Sequence, residues 1–331
     1  MPDHCSPGRP RTPWPRRPVT AVRGTGPGVP ARTVVGARHR VTSEPPGTIR
    51  PVIDLHTHST VSDGTEAPAR VVELAHEAGC SALALTDHDS LAGLPEARAR
   101  AEEVGIRLVP GCEVSCLPSP AGGGVHVLVY FVDDPASPLG RELEALRHDR
   151  AGRNQALLER LHALGVEITW EQVVARAGSA EGVGRPHFAQ ALIEVGAAAD
   201  TVEAFDVWLG NGGRAYIPKA RLTVADVVAL ARASGGVASL AHPFTTRLEG
   251  RALADWVAEQ AAAGLVGLEA HYGSATPDER RAAVDLARRL GLVPTGGSDF
   301  HGSAKEVAVG TGNGTLRVPD AVLDELEAAR P

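Results

Sequence analysis

The order of apolar and polar positions divides the chain into segments with different expected structures. From residue 52 onwards, short apolar runs alternate with segments of helical periodicity. The apolar runs predict strands at residues 52–55, 82–86, 108–109 and 125–132. The periodic segments predict helices from about residue 68 to Gly79 and over residues 94–104 before Gly105, because glycine commonly ends a helix. This strand–helix alternation predicts an α/β fold with a parallel sheet or barrel.

The alternation is lost between about residue 135 and residue 223. Leucines at helical spacing predict helices there, the first marked by Leu139, Leu143 and Leu146 and the second by residues 157–161. Strand–helix alternation then returns, with strands predicted at residues 237–240, 266–270 and 293–295. We therefore predict a barrel formed by residues 51–135 and 223–331. A mostly helical insertion, residues 136–222, would interrupt it and act as a cap over the substrate.

Residues 1–50 differ from the rest of the chain in composition and charge. They are rich in proline, glycine and arginine, lack apolar periodicity, and are predicted to be a disordered tail. Nine arginines against Asp3 and Glu44 give this segment a net charge of +7. Since the whole chain carries −7, the remaining residues carry −14. This net negative charge outside the tail argues against non-specific binding to long duplex nucleic acid.

Length, apolar content and cysteine usage narrow the class of protein. The chain has 331 residues, 43% of them hydrophobic, and no apolar run approaches the roughly 18 residues of a membrane span. Its four cysteines form no C-x-x-C pair and no secretory leader is recognisable, so we expect a reduced, cytoplasmic setting. Cys112 and Cys116 are either zinc ligands or, as we favour, small buried thiols.

Histidine and carboxylate residues recur at the ends of the predicted strands. His56 and His58 lie two residues apart on the first strand, so their side chains point to the same face and can converge on one metal ion. Further candidates follow or begin the later strands: Asp87, His88, Glu113, His126, His242, Asp299 and His301. Because the ends of barrel strands face a common mouth, this recurrence predicts a metal centre there.

Six sequence stretches carry these residues and support a family resemblance. They are DLHTHSTVSDG at residues 54–64, LTDHDS at 85–90, GCEVS at 111–115, HVLVY at 126–130, AHP at 241–243 and GGSDFHG at 296–302. In this order, across about residues 52–314, they resemble the PHP (polymerase and histidinol phosphatase) family of metal-dependent phosphoesterases. The resemblance implies a distorted (β/α)7 barrel with three divalent metal ions at its mouth, which could be Mn, Zn, Fe or Mg.

The resemblance also implies which residues bind each ion. One ion would take His56, His58, Glu113 and Asp299; a second would share Glu113 and add His126 and His242; the third would take Asp63, His88 and His301. Asp63 stands where some relatives have histidine, a replacement that metal chemistry tolerates. Within this set, Glu113, Asp299 and His242 are the predicted catalytic residues.

The chemistry of these ligands suits phosphate ester hydrolysis. Imidazole and carboxylate without thiolate favour Zn, Mn or Fe over a soft-metal site. Closely spaced divalent ions hold a phosphate and activate a water for attack on it. Their charge also explains how a body of net negative charge would bind a phosphate. The predicted substrate is a 3′,5′-bisphosphonucleoside or a short 5′-phosphorylated RNA, while the oligomeric state stays open.

The segment GRPHF at residues 184–188 resembles the nucleotide phosphatase and exoribonuclease branch of the same family. Pro186 can begin a helix, which would leave Arg185 beside free amide donors at the helix N-terminus. A guanidinium is a forked, permanently charged partner for phosphate, so Arg185 and His187 are the predicted substrate-binding residues. Weaker candidates for substrate contact, each of which could be structural, are Trp208, Tyr216, Tyr272 and His271.

Three other interpretations fit part of the sequence less well. An amidohydrolase shares the H-x-H motif, but many of these enzymes bridge two metals with a carbamylated lysine, and neither Lys219 nor Lys305 is suitably placed. A histidinol-phosphatase-like enzyme would have the same fold, but the GRPHF segment and Asp63 favour the nucleotide branch. A non-catalytic PHP binding module has no need of the nine predicted ligands, all of which are present.

Overall fold

The computed structural model describes residues 52–177, 183–217 and 221–331; the predicted tail and Lys219 lie outside these residues. Seven strands occur in chain order in one sheet: β1 (Val52–Thr57), β2 (Cys80–Leu85), β3 (Arg107–Ser115), β4 (His126–Tyr130), β5 (Val237–Leu240), β6 (Gly267–Tyr272) and β7 (Val293–Gly297). Helices accompany them: α1 (Pro68–Glu77), α2 (Leu94–Val104), α3 (Pro138–Ala163), α4 (Trp170–Ala177), α5 (Arg185–Glu194), α6 (Thr201–Glu203), α7 (Val224–Ala233), α8 (Gly250–Ala262), α9 (Pro277–Arg289) and α10 (Ala321–Ala328). No helix in these described segments is long and apolar enough to cross a membrane.

Strand β4 runs in the opposite direction to its neighbours. It pairs antiparallel with β3 and β5, whereas the other neighbouring strands pair parallel. The parallel pairing expected from the strand–helix alternation therefore does not hold at this strand. A parallel connection needs a crossover of about a dozen residues or more, usually a helix, and no helix joins β3 to β4. The reversal brings the first residue of β4, His126, to the end of the barrel at which the parallel strands finish.

The barrel is closed between β1 and the segment that follows β7. The backbone N–H of Asp299 donates to the His56 carbonyl oxygen at 2.9 Å, and the N–H of His58 donates to the Phe300 carbonyl oxygen at 2.9 Å. A Cβ at Gly297 would lie 2.4 Å from the backbone nitrogen of His56, so a side chain at this position would prevent the approach. Closure places His56 and Asp299 next to each other.

One apolar cluster links the barrel strands to the C-terminal helix. Ile53 of β1 and Leu128 of β4 are buried together with Leu323 and Leu326 of α10. Each such side chain contributes about 1.5–3 kcal/mol when it is fully buried. Helix α10 was not among the predicted elements. At eight residues it is too short for a clear periodic pattern, and its packing stabilises it.

The helical region between β4 and α7, here called the cap, comprises α3 to α6 and a π-helical turn at Ala204–Leu209. Helix α3 belongs to both regions. Its first turns bury Leu139 and Leu143 in a barrel cluster, and its last turns bury Leu157 and Leu161 in a separate cap cluster. One continuous helix therefore connects the cap core to the barrel core.

Candidate metal centre

All nine side chains predicted as metal ligands meet at one end of the barrel, here called the mouth. They form four overlapping groups in which the ligand atoms lie within 4.8 Å of one another. The groups are His58, Asp63, His88 and His301; His56, His58 and Asp299; His56, Glu113 and His242; and His88, Glu113 and His126. The structure thus brings together every member of the predicted set, and how the members would share the ions stays a prediction.

Glu113 lies at the centre of these groups and is only 1% exposed. Its Oε1 lies 2.8 Å from His242 Nε2 and 3.0 Å from His126 Nδ1. Its Oε2 faces three further ring nitrogens at 3.1–3.2 Å, those of His56, His58 and His88. A carboxylate with imidazoles around both oxygens has the arrangement needed to bridge two cations.

Burial and the surrounding charges shift the pKa values of several groups at the mouth. Burial opposes ionisation of Glu113, but the histidines around it, His88 and His56 foremost, hold its pKa well below its usual range. Burial lowers the pKa of His88 to about 4 and also lowers the pKa of His58. His56 and His242 differ, because the carboxylates of Glu113 and Glu269 outweigh burial and raise the pKa of both imidazoles. An ionised carboxylate and neutral imidazoles are the forms in which these side chains coordinate metal.

Two ligand atoms of the centre, Glu113 Oε2 and His88 Nδ1, are buried and make no hydrogen bond of suitable geometry among the described residues. They lie 3.1 Å apart. Buried polar atoms are normally satisfied, because leaving them without a partner costs free energy. A cation bound by this group would satisfy both atoms. The donor set of imidazole and carboxylate fits divalent ions such as Zn, Mn or Fe.

Asp299 is held by two donors that orient its carboxylate. The Tyr272 hydroxyl donates to Asp299 Oδ2 at 2.8 Å, and Lys305 Nζ donates to the same oxygen at 2.6 Å. The other oxygen, Oδ1, lies 3.5 Å from Nε2 of both His56 and His58. Tyr272, a candidate for stacking on a base, therefore contacts a predicted ligand through its hydroxyl.

Glu269 is a buried residue of the site that sequence reasoning missed. It lies on β6, and its Oε1 is 2.9 Å from His56 Nδ1. Its Oε2 accepts the backbone N–H of His242 at 2.6 Å. One carboxylate thus orients two predicted ligands, one on β1 and one just after β5. The available signal was a carboxylate within the apolar run of residues 266–270.

Three residues at the mouth have unusual backbone conformations. Asp89, His242 and Asp299 have positive φ angles of 51°, 22° and 56°. Such conformations cost about 1–3 kcal/mol each outside glycine and concentrate at functional sites. The hydrogen bonds from the His242 N–H to Glu269 and from the Asp299 N–H to the His56 carbonyl oxygen help to maintain them.

A cavity of about 430 Å³ joins the mouth to the cap. Asp63, His88 and His126 line it from the barrel. Arg150 and Arg153 of α3, Arg185 of α5 and Arg221, which precedes α7, line it as well. Four guanidinium groups therefore share one cavity with three of the predicted metal ligands.

The partners of these arginines leave positive charge in the cavity. Arg150 donates to Asp89 at 2.6 Å, and Arg185 donates to the Ile217 carbonyl oxygen at 2.8 Å. Burial and the positive charges of Arg185, Arg150 and Arg221 lower the pKa of Arg153 to about 10. The Nε of Arg153 has no hydrogen-bond partner among the described residues. An anion in the cavity would offset this concentration of like charge.

Other candidates take part in local structure. Nδ1 of His187 accepts the Gly184 N–H at 3.0 Å at the start of α5, and His187 does not line the cavity. The Trp208 indole N–H donates to the Ala197 carbonyl oxygen at 3.0 Å within the cap. His271 lines a different cavity, beside α9, and burial with the nearby positive charge of Arg280 lowers its pKa to about 4.

The two cysteines considered as zinc ligands lie in the barrel core. Cys112 and Cys116 are buried in the cluster that includes Val127 and Leu240. Burial raises the pKa of Cys116 to about 12 and raises that of Cys112 as well. Within the described part of the chain, no group able to hold a metal contains a cysteine. Both thiols are therefore apolar packing groups in this structure.

Known proteins resemble this chain in sequence and structure. Residues 54–161 match the PHP domain family. The chain is 31% identical over 248 residues to a 5′-3′ exoribonuclease of Haemophilus influenzae. The aligned region covers 75% of this chain and 89% of that protein. It is 32% identical over 249 residues to a 3′,5′-nucleoside bisphosphate phosphatase of Chromobacterium violaceum, with 75% and 87% covered. The crystal structure of a protein described as a metal-dependent phosphoesterase, from Bifidobacterium adolescentis, aligns with a TM-score of 0.67 at 31% identity, covering 87% of this chain and 98% of that one.

Proposed function

The chain belongs to the PHP family and is a metal-dependent phosphoesterase, and from this premise we propose that its substrate is a nucleotide with two phosphates or a phosphorylated RNA end. The observation that carries the proposal is the cavity in which four arginines face three predicted metal ligands. A substrate with one phosphate at the mouth and a second among the arginines would use both sets of charges.

In this proposal the nine mouth residues hold the metal ions. When bound, the ions would polarise the reacting phosphate and supply an activated water. Glu269 and Tyr272 keep His56 and Asp299 in orientation, since each contacts its partner within 3 Å. These contacts fix the ligand geometry before substrate arrives, so little reorganisation is needed during the reaction.

The arginines of the cap would bind the phosphate that does not react. Arg153 and Arg185 offer planar, permanently charged donors, and a charge-assisted hydrogen bond contributes about 1.5–3 kcal/mol. Two relatives are named for RNA and for a nucleoside bisphosphate, and both of these compounds carry more than one phosphate, which is consistent with this arrangement. A cavity of about 430 Å³ is within the range that holds small ligands.

The proposal is tested by a substrate screen in the presence of Mn²⁺. Nucleoside 3′,5′-bisphosphates, short 5′-phosphorylated RNAs, histidinol phosphate and dihydroorotate are compared by phosphate or product release. We expect the first or second class to have the highest kcat/KM. Preference for histidinol phosphate would replace the proposed substrate, and turnover of dihydroorotate alone would indicate amidohydrolase chemistry. Tight metal binding without turnover of any substrate would indicate a binding module.

A further inference from the structure

The cavity at the mouth also has apolar side chains that phosphate binding does not use. Val61, in the loop after β1, lines it and is 36% exposed. Phe205, in the π-helical turn of the cap, also lines it. Phe205 is partly buried because it packs on the cap core. Apolar side chains from both regions therefore border the same space as the arginines and the predicted ligands.

The π-helical turn determines where Phe205 lies. Ala204, Trp208 and Leu209 of this turn are buried in the cap core. The N–H of Gly210 donates to the Phe205 carbonyl oxygen at 2.7 Å, and a Cβ at Gly210 would lie 2.6 Å from that oxygen. Glycine therefore permits the turn to end here. Such turns are uncommon and occur often at functional sites, where they change the direction of a side chain.

The other aromatic rings of this region are already engaged. Arg214 lies over the Trp208 ring at 4.5 Å, and Arg185 lies over the Tyr216 ring at 4.8 Å. The Tyr272 hydroxyl donates to Asp299. Apart from the imidazoles, Phe205 is the one aromatic side chain among the described residues that line the cavity.

We propose that Phe205 determines the preference for substrates that carry a base, by providing the surface on which the base of a nucleotide stacks. Val61 would be a second apolar contact. The inference rests on the proposed function, because it assumes that the reacting phosphate lies at the mouth. Every base has an apolar face, so stacking on a phenyl ring tolerates all four bases. The larger face of a purine should bind better than that of a pyrimidine.

The test compares two substrates that differ only in the base. Adenosine 3′,5′-bisphosphate and the same sugar bisphosphate without a base are assayed with wild type, Phe205→Ala and Phe205→Trp. We expect Phe205→Ala to raise KM for the nucleotide about tenfold, with kcat retained, and to leave the base-free substrate unchanged. Phe205→Trp should keep the wild-type KM. Val207→Ala is the matched control, because Val207 is 37% exposed on the same turn and does not line the cavity.

Each other outcome overturns the inference in a distinguishable way. Equal losses on both substrates, together with a lower Tm, would assign Phe205 to cap packing. No loss on either substrate would also exclude a base contact. If wild type used the base-free bisphosphate as well as the nucleotide, the phosphate assignment would stand and the base contact would be wrong. If wild type hydrolysed neither the two bisphosphates nor a short 5′-phosphorylated RNA, the proposed function would fail and this inference with it.

Discussion

The mouth and the cap hold their charged side chains in different ways. At the mouth, the predicted ligands lie on barrel strands or in the segments that follow them, and central ones such as His56 and Glu113 are almost fully buried. Backbone hydrogen bonds of the closed barrel and the carboxylate of Glu269 hold them. In the cap, three of the four cavity arginines extend from helices, and Arg185 is anchored by a single carbonyl oxygen and by the ring of Tyr216.

This difference indicates a division of roles. A buried cluster held by many hydrogen bonds provides fixed geometry, which metal binding and the reaction require. Longer side chains on a helical cap can adapt to the part of a substrate that does not react. Changes at the mouth should therefore alter metal content and turnover of every substrate, whereas changes in the cap should alter which substrates are used.

The largest effect is expected from metal removal, which acts on the mouth and leaves the cap intact. Purified protein should contain about two to three equivalents of Mn, Zn or Fe per chain, since the ligand groups have that capacity. Chelation should abolish hydrolysis of every phosphate ester, and added Mn²⁺ should restore part of it. Elemental analysis and phosphate release are the measurements. If the purified protein contained no metal and chelator did not change its activity, the metal assignment would be wrong.

Glu113→Gln should have the next largest effect, because Glu113 contacts five histidines of the mouth. Loss of its charge should lower kcat/KM at least about 100-fold, since a metal-bridging ligand accounts for several kcal/mol. His126→Ala should cost less, because His126 lies at the edge of the group with its side chain 31% exposed. Metal content and kinetics of both variants are compared. A greater loss with His126→Ala would contradict the central position of Glu113.

Glu269→Gln tests a residue that is not a predicted ligand but orients two of them, His56 and His242. The amide would be a poorer partner for His56 Nδ1, so metal affinity or activity should fall about 10- to 100-fold. Glu259→Gln, on the exposed face of α8, is the matched control and should match wild type. Metal titration of both variants is the measurement. Unchanged metal affinity in Glu269→Gln would mean that the His56 contact is only structural.

Arg185→Ala tests the cap, and its effect should depend on the substrate. Metal content should not change, because Arg185 belongs to none of the predicted ligand groups. For substrates with a second phosphate, kcat/KM should fall about 10- to 100-fold, the loss of one charged hydrogen bond. A simple monoester such as p-nitrophenyl phosphate should be much less affected.

The control for this variant is Arg147→Ala, which removes an arginine of α3 that pairs with Glu144 and does not line the cavity. It should behave as wild type on both substrates. Equal losses on bisphosphate and monoester with Arg185→Ala would place that arginine at the reacting phosphate or in the fold. Full activity of Arg185→Ala on both substrates would mean that this arginine of the cap does not contribute to substrate recognition.

The smallest effect is expected at the cysteines beside Glu113. Cys112→Ala and Cys116→Ala should leave metal content and kcat/KM unchanged, because both thiols point into the apolar barrel core. A small loss of stability, about 1 kcal/mol, is expected from the lost packing. Thermal unfolding and elemental analysis check both statements. Loss of metal in either variant would support the alternative hypothesis that these cysteines are zinc ligands.

Several elements were predictable because their causes are local. The strand at residues 237–240 and the helix at residues 94–104 follow from apolar spacing and flanking turn residues, and their bounds agree with β5 and α2. Alternation along a strand likewise placed His56 and His58 on one face. The direction of β4 was not predictable from apolar spacing, because a strand has the same pattern in either direction.

The barrel class and the family could be inferred from the amino-acid sequence alone, since both depend on residue types at short, regular spacings, and the same spacings predicted the metal ligands. Which distant residues meet depends on the tertiary structure. Glu269 reaches His56 across 213 positions of the chain, and Arg150 reaches Asp89 across 61. Phe205 enters the cavity only because a π-helical turn and the packing of Trp208 direct it there. Contacts of this kind arise from barrel closure and cap packing, which bring together residues that no local pattern relates.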